Sequence, residues 1–372
     1  VLVLVLVLLH EKKEEATPAH MEPATVGLPR FSIVSCVKSK PDLRDVSRTA
    51  LATGFIPSLV RTVTPEERRD WHISLYLCAD DTDQFYVSRA AAVRNLSATL
   101  APWLELHLLF YPAAKNRVPN REAALQAYAD GAEYMHRTND DINFLSSRWL
   151  SYAVSALRSL KPPNIGVVGP KVYGDGMRGG ATTLDVVHRT HLEIFADYYP
   201  PQLDNWFVDD WIAFAYTRGK QRRTFVLSGN KRFPNLIWRV QHMFTHGRRY
   251  QVSMKQKGLL PALVECGRDA VDAWINESVR AAAACAAGAA ERPPWPRVSC
   301  YAHATLPSAS SAAERPRWPQ AGRRTNRSRA VQQLCRPRVE PVVPLERDGF
   351  YKQAEGWCAL LHPTDRRCPG ML

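Results

Sequence analysis

Tyr134-Met135-His136-Arg137-Thr138-Asn139-Asp140-Asp141-Ile142-Asn143-Phe144 places an amide and two adjacent carboxylates just before the apolar Ile142 and Phe144. The part before Asn139 reads as a strand, and Asn139-Asp140-Asp141 as the polar cluster at its carboxyl end. An all-oxygen cluster suits a hard divalent cation, Mg²⁺ or Mn²⁺, more than zinc. A cation held by so few side chains keeps positions open that a diphosphate can fill. Acidic pairs are common on protein surfaces, so the weight of this one depends on its surroundings.

Those surroundings alternate regularly. Upstream, Phe31-Ser32-Ile33-Val34-Ser35-Cys36-Val37 has the β-branched content of a buried strand. Residues 48–63 carry Ala50, Leu51, Phe55, Ile56, Leu59 and Val60 at helical spacing. A second strand over 73–78 runs into Asp80-Asp81-Thr82-Asp83. A helix over 87–100, a strand over 104–110 and a helix around 122–130 lead to the opening stretch. Downstream, a strand over 164–172 enters a glycine-rich loop at 173–180 that lacks the GxGxxG and P-loop signatures. The pattern then passes 188–195, an aromatic segment at 198–216, and short strands near Phe225 and Tyr250. Strands alternating with helices imply an α/β fold with a mostly parallel central sheet flanked by helices. Ligands of such sheets collect beyond the carboxyl ends of the strands. Both acidic clusters lie at such ends.

The 372 residues carry a formal net charge of +13, about half of it beyond residue 280, where the cations are nearly all arginine. That balance implies anionic partners and says little about fold. A nucleic-acid-binding tail is one reading, but aromatics are not interleaved there at useful spacing, and no nucleic acid is expected as a partner. The eight cysteines include no CxxC pair and no zinc-type spacing. Cys36 and Cys78, each on a buried strand, read as small hydrophobes. Cysteine usage leaves the redox compartment open.

Four segments follow from composition. Residues 1–29 form a leader and linker, 30–255 an ordered α/β domain, 256–280 an extension, and 281–372 a low-complexity tail expected to be disordered or mistranslated. The start, Val1 to Leu9, is apolar for nine residues, too few for the ~20 that span a bilayer. It reads either as the end of a signal anchor or signal peptide, or as low-complexity sequence, and a start without Met reads as truncation.

The stretch 134–144, Trp149, Asn164 to Pro170, and Asn205-Trp206-Phe207-Val208-Asp209-Asp210-Trp211-Ile212 together resemble a GT-A type glycosyltransferase, a nucleotide-diphospho-sugar transferase. The likeness covers about residues 30–252. It implies a Rossmann-like GT-A fold and an Asp-x-Asp metal motif, with Asn139 in the first acidic place, Asp140 in the middle and Asp141 last. Asn139 departs from that motif, since an amide offers an oxygen without a charge; Asp140 compensates. The competing reading is an Asx-type turn after a strand. By the same resemblance, Asp80, Asp81 and Asp83, with Asn139, contact the base or ribose of the nucleotide; the alternative is a solvated loop. Asp210 is implied as the general base of an inverting reaction, with Asp209 orienting the acceptor or exchanging roles with it. Trp206 and Trp211 are implied as sugar platforms. Against this stand a helix first turn that favours Asp, and tryptophans that belong to a core. His242, rather than His246, is implied as a further metal or diphosphate contact. His188 and His191 fall one helical turn apart, as if on one helix face, and read as structural or acceptor-side.

The expectation is therefore a glycosyltransferase dependent on Mn²⁺ or Mg²⁺, taking a nucleotide-diphosphate sugar and a hydroxyl acceptor on a glycan, protein or lipid. The resemblance and the apolar start place it in the secretory pathway, in the Golgi, with the membrane met only through a truncated anchor. Two alternatives remain: a non-catalytic relative that binds nucleotide sugars or glycans, and a basic nucleic-acid binder acting through its tail. The Asn-x-Ser triplets at Asn95 and Asn276 decide nothing.

Overall fold

The computed structural model describes residues 27–113, 118–174, 183–243 and 254–286. Most of the leader, the glycine-rich loop from 175 to 182, His246, Tyr250 and the tail beyond 286 lie outside them, and so do the expectations attached to those segments.

The first half runs β1 (Arg30–Cys36), α1 (Ile56–Thr62), α2 (Pro65–Asp70), β2 (His72–Asp80), α3 (Gln84–Ser88), α4 (Ala90–Leu100), β3 (Glu105–Tyr111), α5 (Asn120–Ala129) and β4 (Ala132–Asn139). Then come β5 (Ile142–Phe144), α6 (Trp149–Arg158), β6 (Val167–Tyr173), β7 (Val186–His188), α7 (Thr190–Phe195) and α8 (Val208–Ala215). The chain continues through a hairpin, β8 (Thr217–Arg218) and β9 (Gln221–Arg222), to β10 (Thr224–Leu227), β11 (Arg239–His242) and α9 (Leu260–Ala286). A π-helical turn, Leu51–Phe55, leads into α1, so the expected helix over 48–63 is split.

One sheet has the order β3-β2-β1-β4-β7-β6-β11-β5, with β10 beside β6. β1 pairs in parallel with β2 and with β4. β7 is antiparallel to both its neighbours, and β5 is antiparallel to β11. The fold is thus α/β with a mostly parallel sheet, as expected. Among the strands missed from sequence, β7 and β11 are three and four residues long and β8 and β9 two each, too short to show a period.

Alternation along β1 divides the core. Phe31 and Ile33 join Leu51, Phe55, Leu59, Trp149 and Trp238 on one face of the sheet. Val34 joins Tyr76, Met135 and the alanines of α5 on the other. The first face is rich in rings: Trp149 stacks on Phe144 at 4.7 Å and on Trp238 at 5.2 Å. Such offset stacks add to area burial.

Two expectations change. Cys36 and Cys78 are not merely hydrophobic filler, for they form a disulfide. Parallel pairing sets them opposite each other with Cα atoms 4.4 Å apart, within disulfide reach. The helical part of the extension also passes residue 280, because α9 continues through the alanine run to Ala286. Alanine has the highest helix propensity, which favours that continuation. Among the described residues, no helix is long and apolar enough to cross a membrane.

The segment after 255 packs on the core. Trp211 Nε1 on α8 donates to the Leu263 carbonyl on α9 at 3.0 Å. Arg218 ties the hairpin to Asp269 and Asp272 at 2.6 and 2.8 Å. Gly267 sits at the crossing, where a Cβ would stand 2.8 Å from Ala215 Cβ and 3.3 Å from Trp211 Nε1. Neither neighbour is the loose end of a flexible side chain. Gly267→Val is therefore expected to lower unfolding free energy by about 1–3 kcal/mol, read from urea midpoints. An unchanged midpoint would mean that the two helices do not meet there.

Candidate active site

Three polar groups gather where β4 ends. β4 finishes at Asn139, and Asp140-Asp141 turn the chain into β5. β11 runs antiparallel to β5 with His242 opposite Ile142, and Met243 N donates to the Asp141 carbonyl at 2.8 Å. This brings His242 Nε2 to 3.3 Å from Asp141 Oδ1 and 3.4 Å from Asn139 Nδ2. Asp140 is 2% exposed and Asp141 7%. Sequence reasoning chose these residues, and the fold assembles Asn139, Asp141 and His242.

One carboxylate, one amide that presents its oxygen when turned over, and one imidazole form the donor set. Carboxylate and amide oxygens suit Mg²⁺ or Mn²⁺, and imidazole favours the transition metal of the two. Among the described residues, no three His, Cys, Asp or Glu side chains group closely enough to hold a metal by themselves. The set therefore fits a weakly held cation, one completed by oxygens of a bound anion.

The second acidic cluster lies two strands away. Cys36 on β1 stands opposite both Cys78 and Asn139, so the ends of β2, β1 and β4 share one rim. Two strand spacings put Asp80 roughly 10 Å across that rim. Beside it is a cavity of about 530 Å³ lined by Asp80, Asp83, Lys38, Lys40, Arg44 and Arg89, among others. Burial raises the Asp80 carboxyl above its ordinary range; Lys38 opposes the shift, while Asp83 and Asp81 add to it. Asp83 acts largely as a brace. Its carboxylate accepts from Ser39 N at 2.7 Å and from Tyr86 N at 3.3 Å, tying the β1 loop to α3. Asp81 is not in the cavity wall, and accepts from Ala113 N at 3.2 Å.

The four cations were missed by sequence reasoning. Lys38-Ser39-Lys40, directly after a buried strand, was a usable signal for two of them. Arg44 and Arg89 had none, since only folding brings their segments to this cavity.

Asp209 and Asp210 occupy the first turn of α8, after Phe207 in the left-handed region at φ 70°. Both are partly exposed. Burial, and then the charge on Asp209, push Asp210 up to about 7. Asp209 is also raised by burial, but Arg137 opposes the shift. Arg137 is anchored by Asp185, which is fully buried: its Nη2 lies 2.8 Å from Asp185 Oδ2 and its Nε donates to Tyr199 Oη at 2.7 Å. Tyr198 and Tyr199 donate to Asp185 at 2.6 and 2.7 Å. Arg137 lies two residues before Asn139 on β4, so Asp209 and the Asn139 cluster relate to one strand end. Of the adjacent carboxylates, Asp209 feels a buried cation, and Asp210 is raised to about 7.

Two expectations need correction. Trp211 offers no platform to a sugar, because it is 2% exposed and packs edge-on against Phe195 at 5.0 Å. The helical period that exposes Asp210 turns the next residue inward. Trp206, before the helix, is half-buried. His188 and His191 do not share a helix face, since one ends β7 and the other lies in α7. His191 is buried between Tyr216 Oη and the Tyr198 carbonyl, at 2.9 and 2.8 Å, a structural role.

No family model matches the sequence, and no curated protein matches it. Among solved structures, the chain is similar to S. aureus TarS, with 16% identity over 63% of this chain and 39% of that one, and a TM-score of 0.40. It is also similar to a mannosyltransferase, PcManGT from Pyrobaculum calidifontis, in complex with GDP-Man and Mn2+. That match has 15% identity over 75% of this chain and 80% of that one, and a TM-score of 0.40. A third is glucosyl-3-phosphoglycerate synthase from Mycobacterium tuberculosis with Mg2+ and UDP, at 11% identity over 65% and 78%, and a TM-score of 0.31. The chain spans well under two thirds of TarS. Likenesses this distant carry nothing about the chemistry of these residues.

The raised Asp210 value has a consequence for stability. A carboxyl with a folded-state pKa of about 7, against an ordinary 3.8, favours the folded state below its unfolded value. That contribution is lost as pH rises through about 7. Asp210→Asn should therefore resist urea better than the natural protein at pH 8, with the advantage shrinking toward pH 4. Equal differences at both pH values would show that the carboxyl is not perturbed.

Proposed function

We propose that the chain is a metal-dependent glycosyltransferase that takes a nucleotide-diphosphate sugar and transfers the sugar to an acceptor hydroxyl with inversion. The observation that carries this is the shared strand-end rim. There, Asn139, Asp141 and His242 meet within 3.4 Å, beside a cavity that combines four cations with the Asp80 carboxylate. Cations in a cavity of that size suit the charge of a nucleotide, and a strand-end carboxylate suits ribose hydroxyls. The similarity to nucleotide-sugar enzymes noted above agrees with this reading without adding weight to it.

Asn139, Asp141 and His242 would hold the cation, which when bound offsets charge on the departing diphosphate. Lys38, Lys40, Arg44 and Arg89 hold the anionic nucleotide. Asp210 accepts the proton of the acceptor hydroxyl as its oxygen bonds to the anomeric carbon, on the face opposite the breaking bond to diphosphate. With a value near 7, Asp210 is ionised in a useful fraction at neutral pH. Asp209, beside Arg137, positions Asp210 or the acceptor, and Trp206 supplies a surface for a sugar ring. The acceptor belongs to a glycan, protein or lipid. The Cys36–Cys78 disulfide supports an oxidising compartment such as the secretory pathway, with the Golgi as the proposed site.

Calorimetry across a panel of nucleotide sugars, with and without Mn²⁺, paired with donor hydrolysis, tests this. Cation-dependent binding with turnover is expected, and Asp141→Ala should abolish the cation dependence. Equal hydrolysis by the variant and the natural protein would reject the site. Binding without turnover would instead identify a nucleotide-sugar-binding relative, the reading that an uncharged Asn139 favours. Asp210→Asn should keep donor binding and lower kcat about 10²–10⁴-fold. Lys38→Ala with Arg89→Ala should weaken nucleotide binding whether or not Mn²⁺ is present, measured by the same calorimetry.

A further inference from the structure

A second cavity, of about 790 Å³, opens on the other rim of the sheet. Its walls come from Leu160-Lys161-Pro162, just before β6, from Lys220 to Arg223 in the hairpin before β10, and from Ile275 and Val279 on α9. β10 is parallel to β6, so these are amino ends of strands, opposite the rim that carries the candidate active site.

The cavity is cationic at its edge and apolar within. Lys161, Lys220, Arg222 and Arg232 are exposed, and among the described residues none of them pairs with a carboxylate. The nearby Asp272 is already engaged by Arg218 at 2.8 Å. Arg223 is used differently, donating to the carbonyls of Lys161, Pro162 and Ile165, which holds the wall together. The apolar side is formed by Leu160, Pro162, Phe225, Ile275 and Val279. Val279 is 55% exposed, the highest value among the large exposed hydrophobics described.

We propose that this face docks on an anionic bilayer, with a lipid phosphate among Lys161, Lys220, Arg222 and Arg232 and the first acyl carbons against Ile275 and Val279. Cations rimming an apolar surface match a charged headgroup joined to a hydrocarbon chain. An acidic peptide or a nucleic acid would meet the cations but leave Val279 without an apolar partner. The chain's own tail beyond 286 is a poor occupant, since its excess of arginine repels the rim. A bilayer on this face leaves the opposite rim open to substrate.

Co-sedimentation of the full chain with phosphatidylcholine vesicles, with and without phosphatidate, at about 0.15 M salt tests the proposal. Binding only to phosphatidate vesicles is expected. Lys220→Ala with Arg232→Ala should weaken the partition by about fivefold per cation, and Val279→Ser by about fivefold through lost apolar contact. Arg69→Ala with Arg94→Ala removes the same charge from exposed positions outside the cavity and should have little effect. Matching thermal melts establish that all variants fold. Equal losses in the two double variants, or no loss with Val279→Ser, would mean diffuse attraction through the tail and would overturn the proposal. So would an absence of vesicle binding, or binding of a soluble acidic peptide that the cavity variants alone abolish. None of these readings depends on donor hydrolysis.

Discussion

The parallel register of β1 with β2 and β4 is the constraint on which the rest depends. Cys36 faces Cys78 on one side and Asn139 on the other, so three strands end together and their polar successors share one rim. A slip by one residue would turn Phe31 and Ile33 out of their core and point Asn139 to the other face. The register is held by more than hydrogen bonds. The disulfide crosses it, and Ser32 and Ser74 bond at 2.9 Å within it, so two buried hydroxyls are satisfied only in this alignment.

Beneath the rim lies a buried polar cluster of Arg137, Asp185, Tyr198 and Tyr199. Burying such a pair is costly unless every group is engaged, and here two tyrosines and a guanidinium share one carboxylate. Removing Arg137 or Asp185 leaves the other's buried charge unmatched, a loss on the order of 3–5 kcal/mol. The arrangement therefore fixes β4, β7 and the segment before α8 relative to one another. It also makes Asp209 and Asp210 unlike: the positive field of Arg137 reaches the first, while the second meets mainly burial and the charge of its neighbour. Adjacent carboxylates in unlike surroundings can divide the work of positioning and proton transfer.

Charge is distributed by the same geometry. The cations of the first cavity surround a carboxylate at carboxyl strand ends, whereas those of the second edge an apolar wall at amino strand ends. A net charge of +13 says only that anions are favoured. The cations that folding brings to each rim keep different company there, and that gives the two faces different chemistry.

The long buried strands and their polar ends were legible in sequence, because a period of two, β-branched runs and acidic stops are local signals. Asn139 and Asp141 were legible as the polar stop of such a strand, whereas Asp209 and Asp210 were singled out only through the family resemblance. Elements such as β7 and β11 were not legible, because three or four residues hold too little pattern. The Cys36–Cys78 bond escaped as well, since pairing is a property of register. By itself, then, the sequence determined the α/β class and where its carboxylates fall along the strands. Tertiary structure alone decided that His242 would meet Asn139 across 103 residues, that Arg44 and Arg89 would join Lys38, and that Trp211 would turn into the core. The reason is physical: those contacts depend on strand order and helix docking, which minimise buried unpaired polarity over the whole chain, and no local window contains that information.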